Sequence, residues 1–375
     1  MESIYKAILK YDNKWCKTLG FKNPYLDDIS EKFTRKLPMF DKSAHRQNPK
    51  YCFVYDKLWV AKSQNLKCGK LEDIRETTFV NYPIFIKPRW GHESASSKNC
   101  FKINSYNELV DYTHLQEMMW SEYIDGRETM TDFMLVNGNI VYEMTLIYSD
   151  EQNGYTEKYK YISPDNKCPG HIKRWVNKYL TGYSGAVNVQ YRKNNIIEVG
   201  LRLARGGAYF QATNNPDIIN LINDVYEINN FNKKKGNLFY KPFYSFKCFT
   251  RLPILYLFPQ YLIDFIMKIS QCKSFYEYYF EPNGNDGCVF FQFLHENKQK
   301  GIMILNIITY LFIFTQFIFV LLLLYIIILF ITNSFKFNLR IIILVILFTS
   351  LYMTQYLNPI NVHYNLYKAE RQKRT

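Results

Sequence analysis

Residues 196–202 read Ile-Ile-Glu-Val-Gly-Leu-Arg, an apolar run interrupted by one acid, Glu198, and closed by one base, Arg202. Aliphatic and β-branched residues at this density predict a buried strand. The Lys193-Asn194 turn before it predicts a hairpin with Gly185–Tyr191. Side chains alternate between the faces of a strand, so positions 198, 200 and 202 share one. A carboxylate flanked by Ile197 and Val199 is costly to desolvate unless it is paired or holds a metal. Gln190, on the partner strand, is placed to meet that face. Two readings stay open here: a structural Glu198–Arg202 pair, or a functional carboxylate beside a functional arginine.

Upstream, Tyr82–Lys87 (YPIFIK) is a buried strand bounded by Pro88, so the Lys87 ammonium projects from a rigid element. Arg89 to Ser97 follows as a loop of small and hydroxyl residues that can offer backbone N–H groups and hydroxyls to phosphates. Ser121–Glu128 then supplies a strand, a glycine turn and a carboxylate. Ser105 and Glu108 form a capping box and predict a helix over Ser105–Met119. Arg127–Val136 and Ile140–Ile147 predict a hairpin around Asn137-Gly138. Tyr51–Ala61 reads as strand or turn into a helix start, and Pro216–Val225 as a helix. Alternating strands and helices with hairpins indicate an α+β domain rather than a parallel barrel.

Taken in order, these pieces resemble the ATP-grasp family of carboxylate–amine ligases over residues 52–227. The resemblance implies a two-lobed domain that binds ATP with magnesium, or manganese in its place. It implies that Lys57, after Asp56, and Lys87, within Pro83–Pro88, approach the phosphates, and that Gly91–Ser97 covers them with Ser94, Ser96 and Ser97. It implies that the Glu122 and Ile124 backbone holds adenine, that Glu128 holds ribose, and that Gln190 and Glu198 hold the metal. Arg202 and Arg205 would neutralise the transferring phosphoryl group, and Gly206-Gly207 would let a substrate approach the backbone. The implied reaction activates a small-molecule carboxylate as an acylphosphate for attack by an amine or another nucleophile. The chain departs from the pattern in places. Gly200 stands where a metal-binding asparagine is usual, and Gln190 where a carboxylate is more common. The loop after Lys87 has one glycine, and the Rossmann-like domain that often precedes is curtailed to residues 1–50. His92 and His171 are solitary candidates for proton transfer, or ordinary loop histidines.

The carboxyl-terminal part has another character. Met303–Ile331 carries no ionisable group other than tyrosine, and a bilayer core needs roughly 20 apolar residues in a helix. Leu339–Tyr356 is a shorter second span, after the polar turn Thr332–Asn338. The basic tail, 358–375, holds Lys368, Arg371, Lys373 and Arg374, so the positive-inside rule puts tail and amino-terminal domain in the cytosol. Met1–Lys10 has no signal-peptide core. The eight cysteines form no CxxC pair, which speaks against a zinc site or disulfide framework. The net charge of +14 comes from scattered lysines with no nucleic-acid module, and a basic face beside anionic lipid accounts for part of it.

The expected organisation is a short segment 1–50, an ATP-grasp-like domain 51–230, a small α+β appendage 231–300, a transmembrane hairpin 301–357 and the tail. Within the appendage, Tyr244–Leu257, Ser274–Phe280 and Cys288–Leu294 read as strands, and Gln260–Ser270 as a helix. Alternatively, Leu252–Ile269 lies in a membrane surface as an amphipathic helix. The expected function is a membrane-anchored ligase with a bilayer and small molecules as partners and no nucleic acid. A non-catalytic nucleotide-binding membrane protein, acting as sensor or scaffold, and a membrane organiser that only binds partners remain as alternatives.

Overall fold

The computed structural model describes residues 32–74, 80–93, 99–150, 158–250, 260–274 and 288–332. These fall into two compact units, one running through Phe243 and one beginning at Tyr244.

The first unit opens with α1 (Asp41–Gln47), a tight 3-10 turn at Pro49–Tyr55 and α2 (Lys57–Lys62). Then come β1 (Cys68–Lys70), β2 (Ile84–Pro88), β3 (Phe101–Ile103), α3 (Tyr106–Val110) and β4 (Met118–Glu122). Strands β5 (Glu128–Val136), β6 (Asn139–Tyr148) and β7 (Tyr159–Ile162) lead to α4 (Gly170–Tyr179). The hairpin of β8 (Gly185–Arg192) and β9 (Asn195–Gly200) precedes α5 (Ala208–Ala212) and α6 (Pro216–Ile228). Two antiparallel sheets result. The smaller runs β1-β4-β2-β3 and the larger β7-β6-β5-β8-β9.

Alternation explains the larger sheet. Phe133, Leu135, Val187 and Val189 face a core shared with Ile172, Trp175 and Val176 of α4 and with Tyr55 and Val60. The opposite face carries Glu128, Met130 and Asp132 on β5, across from Arg192, Gln190 and Asn188 on β8. Glu198 and Gly200 on β9 continue it, opposite Gln190 and Asn188. The smaller sheet has its own core of Leu71, Ile84, Ile86, Ile103, Leu109 and Met118. Asn137 and Gly138, at φ of 50° and 82°, make the expected tight turn between β5 and β6.

The helix expected over Ser105–Met119 is corrected: it stops at Val110. Its cap forms as expected, Glu108 N donating to Ser105 Oγ at 3.3 Å, but Glu108 reaches back to Asn104 N. Met118 and Met119 instead enter β4, the strand between β1 and β2, where they are buried and Met119 pairs with both Lys70 and Lys87. Ladder bonds and burial there outweigh the helical pattern. Helix α6 runs three residues past Val225 to a left-handed cap at Asn229. Strands β1 and β7 and helix α4 carried no sequence expectation.

The second unit holds β10 (Phe243–Thr250) from its second residue on, α7 (Gln260–Ile269), β11 (Lys273–Ser274), β12 (Cys288–His295) and α8 (Lys298–Thr332). Strand β12 pairs antiparallel with both β10 and β11. Among the described residues α8 is the one helix long and apolar enough to cross a membrane. It is not free on every side. Ile304, Ile308, Phe312 and Gln316, spaced four apart, form a buried stripe, and Phe312 stacks on Phe290 of β12 with ring centroids 3.9 Å apart. Gly301 lies against Phe246 with no room for a Cβ. Met303, Ile307, Tyr310, Phe314 and Phe317 are exposed. The second span Leu339–Tyr356, the polar turn before it apart from Thr332, the basic tail and the strand expected beyond Ser274 lie outside the described residues.

Candidate active site

Asp56 is the fastener of the site. Its carboxylate caps α2 by accepting from Leu58 N at 3.0 Å, and it also accepts from Arg89 Nε at 2.9 Å and Nη2 at 2.5 Å. Lys57 N donates to the Arg89 carbonyl at 3.0 Å, and Gly91 N to the Tyr55 carbonyl at 2.8 Å. The start of α2 is thereby tied to the end of β2, which brings Lys57 and Lys87 together. Both are buried. Lys57 Nζ lies 3.5 Å from Glu198 Oε2, and Lys87 Nζ donates to the Ile197 carbonyl at 2.7 Å. Burial, and then the Lys57 charge, push the Lys87 pKa down to about 8, with Glu198 pulling the other way. Two buried ammonium groups thus meet at the strand that bears Glu198, and positive charge in a low-dielectric setting favours an anionic ligand.

Glu198 and Gln190 are direct cross-strand partners, so the structure places them on one face as expected. Glu128 is buried at the start of β5 and pairs with Arg192 Nη2 at 3.3 Å, while Arg192 Nη1 reaches the Ile124 carbonyl at 3.4 Å. Arg192 therefore ties together the two positions expected at ribose and adenine, a role the sequence did not signal. Glu122 ends β4: its N–H donates to the Lys67 carbonyl at 2.9 Å, and its Oε1 accepts from Lys67 N at 3.0 Å. Ser94, Ser96 and Ser97 lie outside the described residues.

The Glu198–Arg202 pairing read from strand alternation is corrected. Strand β9 ends at Gly200, so the alternation does not carry on to Arg202. Arg202 instead donates from Nε and Nη2 to Asp41 Oδ2, at 3.2 and 2.8 Å. Burial opposes the guanidinium charge, yet the charge and hydrogen bonds of Asp41 hold its pKa well above the ordinary value. Asp41 opens α1, in the segment expected to stand apart from the domain. Arg205, Gly206 and Gly207 follow in three successive left-handed conformations, with φ of 50°, 62° and 86°.

Asp132 braces that loop. It is fully buried, and Ala204 N donates to its two carboxylate oxygens at 2.9 and 3.1 Å, with Asn188 Nδ2 adding a bond at 2.8 Å. Burial raises its pKa to about 6. Its signal was in the sequence: an acid inside the apolar strand Glu128–Val136, the same signal that singled out Glu198. Lys160, also buried, donates to the Tyr209 hydroxyl at 2.7 Å. His92 is not solitary, because it stacks on His45 with centroids 3.8 Å apart, and burial and then His45 lower its pKa. His171 stands in the first turn of α4 rather than in a loop, and its Nε2 lies 2.7 Å from the Asn194 carbonyl.

Among the described residues no three His, Cys, Asp or Glu side chains gather as a metal-binding group. Glu198 and Gln190 offer one carboxylate and one amide oxygen. That set suits a hard cation which takes its other ligands from phosphate and water.

No protein-family model matches the chain, and no curated protein matches it. Solved structures do resemble it. An L-amino acid ligase from Bacillus licheniformis is 12% identical, with 70% of this chain and 71% of that one covered and a TM-score of 0.46. A carboxyaminoimidazole ribonucleotide synthase from Aspergillus clavatus, complexed with ATP, is 10% identical over 70% of this chain and 77% of that one, with a TM-score of 0.49. A biotin carboxylase from Campylobacter jejuni is 14% identical over 70% of each chain, with a TM-score of 0.44.

Proposed function

We propose that the first unit binds ATP with magnesium between its two sheets and activates a carboxylate for attack by an amine or other nucleophile. The observation that carries this reading is the convergence of buried Lys57 and Lys87 on the β9 segment bearing Glu198. Lys57 and Lys87 bind the phosphates, Glu128 the ribose, and the backbone of Glu122 and of Ile124 the adenine. Gln190 and Glu198 would hold the metal, which would supply positive charge to offset that of the phosphates. A substrate carboxylate oxygen attacks the γ-phosphorus and ADP leaves; the nucleophile then attacks the acyl carbon, phosphate leaves and the nucleophile loses a proton. Arg202 and Arg205 neutralise the transferring group.

The exposed apolar faces of α8 support an anchor in a lipid bilayer; the uncharged run Leu339–Tyr356 of the sequence is the ground for a second span, and the basic tail the ground for a cytosolic ligase unit and tail.

A second reading, nucleotide binding without turnover, is favoured by one observation: Glu198 is the lone carboxylate of the Gln190–Glu198 pair and is already engaged by Lys57. The deciding experiment measures ADP release by the full-length protein in detergent, with magnesium-ATP and pools of amino acids and amines. Substrate-dependent ADP release supports the ligase. Tight ATP binding without release across the pools favours the second reading.

A further inference from the structure

Gly200 lacks a side chain for a reason of space. A Cβ there would meet Asp41 Oδ1 at 2.8 Å, closer than carbon and oxygen pack, so any other residue would push that carboxylate away. The other oxygen of the same carboxylate, Oδ2, takes both of the Arg202 hydrogen bonds. Tyr55 closes a third side. Its hydroxyl accepts from Leu201 N at 2.9 Å, and its ring stands 3.8 Å from the same Cβ position. The bare α-carbon at 200 and the acid at 41 are thus one arrangement, in which the carboxylate lies over the glycine and grips the arginine two residues further on.

A guanidinium has five N–H donors: Asp41 engages two of them and the Leu203 carbonyl takes a long bond from Nη1 at 3.5 Å, which leaves two for a ligand. Asp41 also decides which acid Arg202 pairs with. Glu198 lies four residues before Arg202, and pairing there would cancel the one carboxylate available to a metal in the Gln190–Glu198 pair. We propose that Asp41 is a positioning residue that holds Arg202 toward the γ-phosphate and away from Glu198, and that Gly200 is glycine in order to admit it. The inference rests on the nucleotide reading given above. It assigns to α1 a part in the site that residues 52–227 do not contain.

The test uses the full-length protein in detergent with magnesium, titrated with ADP and with a β,γ-imido analogue of ATP. A group that faces the γ-phosphate contributes to the second affinity and not to the first. Asp41→Asn should lower the analogue-to-ADP affinity ratio by about tenfold, the size of one charge-assisted hydrogen bond. Gly200→Ala, which displaces the carboxylate without removing it, should do the same, and the double variant should lose no more than either single one. Retained ADP affinity in the same titrations shows that the fold persists. An unchanged ratio in both single variants, or additive losses in the double variant, overturns the inference alone. A wild-type protein that binds neither nucleotide overturns it together with the function it rests on.

Discussion

Lys87 donates from Nζ to the Ile197 carbonyl at 2.7 Å, so the ammonium that ends β2 rests on the strand next to Glu198. Its pKa of about 8 lies below the ordinary lysine value because burial disfavours the charge. Nucleotide affinity should therefore be highest below pH 8 and fall as the pH rises through it. The stability term runs the other way. An unfolded chain holds this proton up to about pH 10.4, so the cost of the buried charge is fully present below pH 8 and relieved between there and pH 10.4. Lys87→Ala should weaken magnesium-ATP about ten- to hundredfold and flatten the affinity profile around pH 8, as read by calorimetry across pH. A wild-type profile flat from pH 7 to 9 would contradict the assignment.

Glu198→Gln keeps the shape of the metal site and removes its only charge. ADP release should be lost while ATP binding weakens, and added manganese should restore part of the binding. If instead the variant keeps full turnover, the metal role is wrong.

Arg202→Lys keeps one charge but loses the planar fork that serves Asp41 and a ligand at once. The chemical step should slow by about 10²–10³ with little change in ADP affinity. Equal losses of stability and of both nucleotide affinities would mark Arg202 as structural.

Asp132→Ala leaves Ala204 N and Asn188 without the acceptor they share. Urea denaturation near pH 4 should show a loss of about 3 kcal/mol. The wild-type carboxyl has its folded pKa, about 6, above the ordinary aspartate value. Its contribution is thus fully present below pH 3.9 and lost as the pH rises through 6, a slope the variant should lack.

The buried stripe on α8 changes how the anchor is tested. A chain cut at Lys300 uncovers Phe246 and Phe290 and should aggregate. The full-length protein should stay in the membrane pellet after alkaline carbonate treatment; recovery in the supernatant would refute the span.

Short-range chemistry was legible in the sequence. The Asn137-Gly138 turn and the opposition of Gln190 to Glu198 depend on local turn types and strand period, and the structure has them. What depends on remote packing was not legible. Met118 and Met119 leave the helix pattern because β1 and β2 supply ladder partners on both sides. Asp41 looked like part of a polar preface, since nothing local indicates that Arg202 will need an acid. Asp132 is an acid within a strand, but Thr129, Met130 and Thr131 before it read as an ordinary hairpin arm, and only the bonds from Ala204 N reveal what it holds.

The Asp41–Arg202 clasp joins residues 161 positions apart, and Thr34 N donates to Asn223 Oδ1 across 189. Residues 33–41 precede the rest of the unit in the chain but find their partners only after most of that unit has emerged. Until then Phe33, Leu37 and Met39, all buried in the finished fold, stay uncovered in the nascent chain. Closure entropy for so long a loop falls late in folding, after the local hairpins have formed. The arginine is therefore set in place only after most of this unit has been made, and translation pauses before residue 223 would lengthen the interval in which a chaperone must shield residues 33–41.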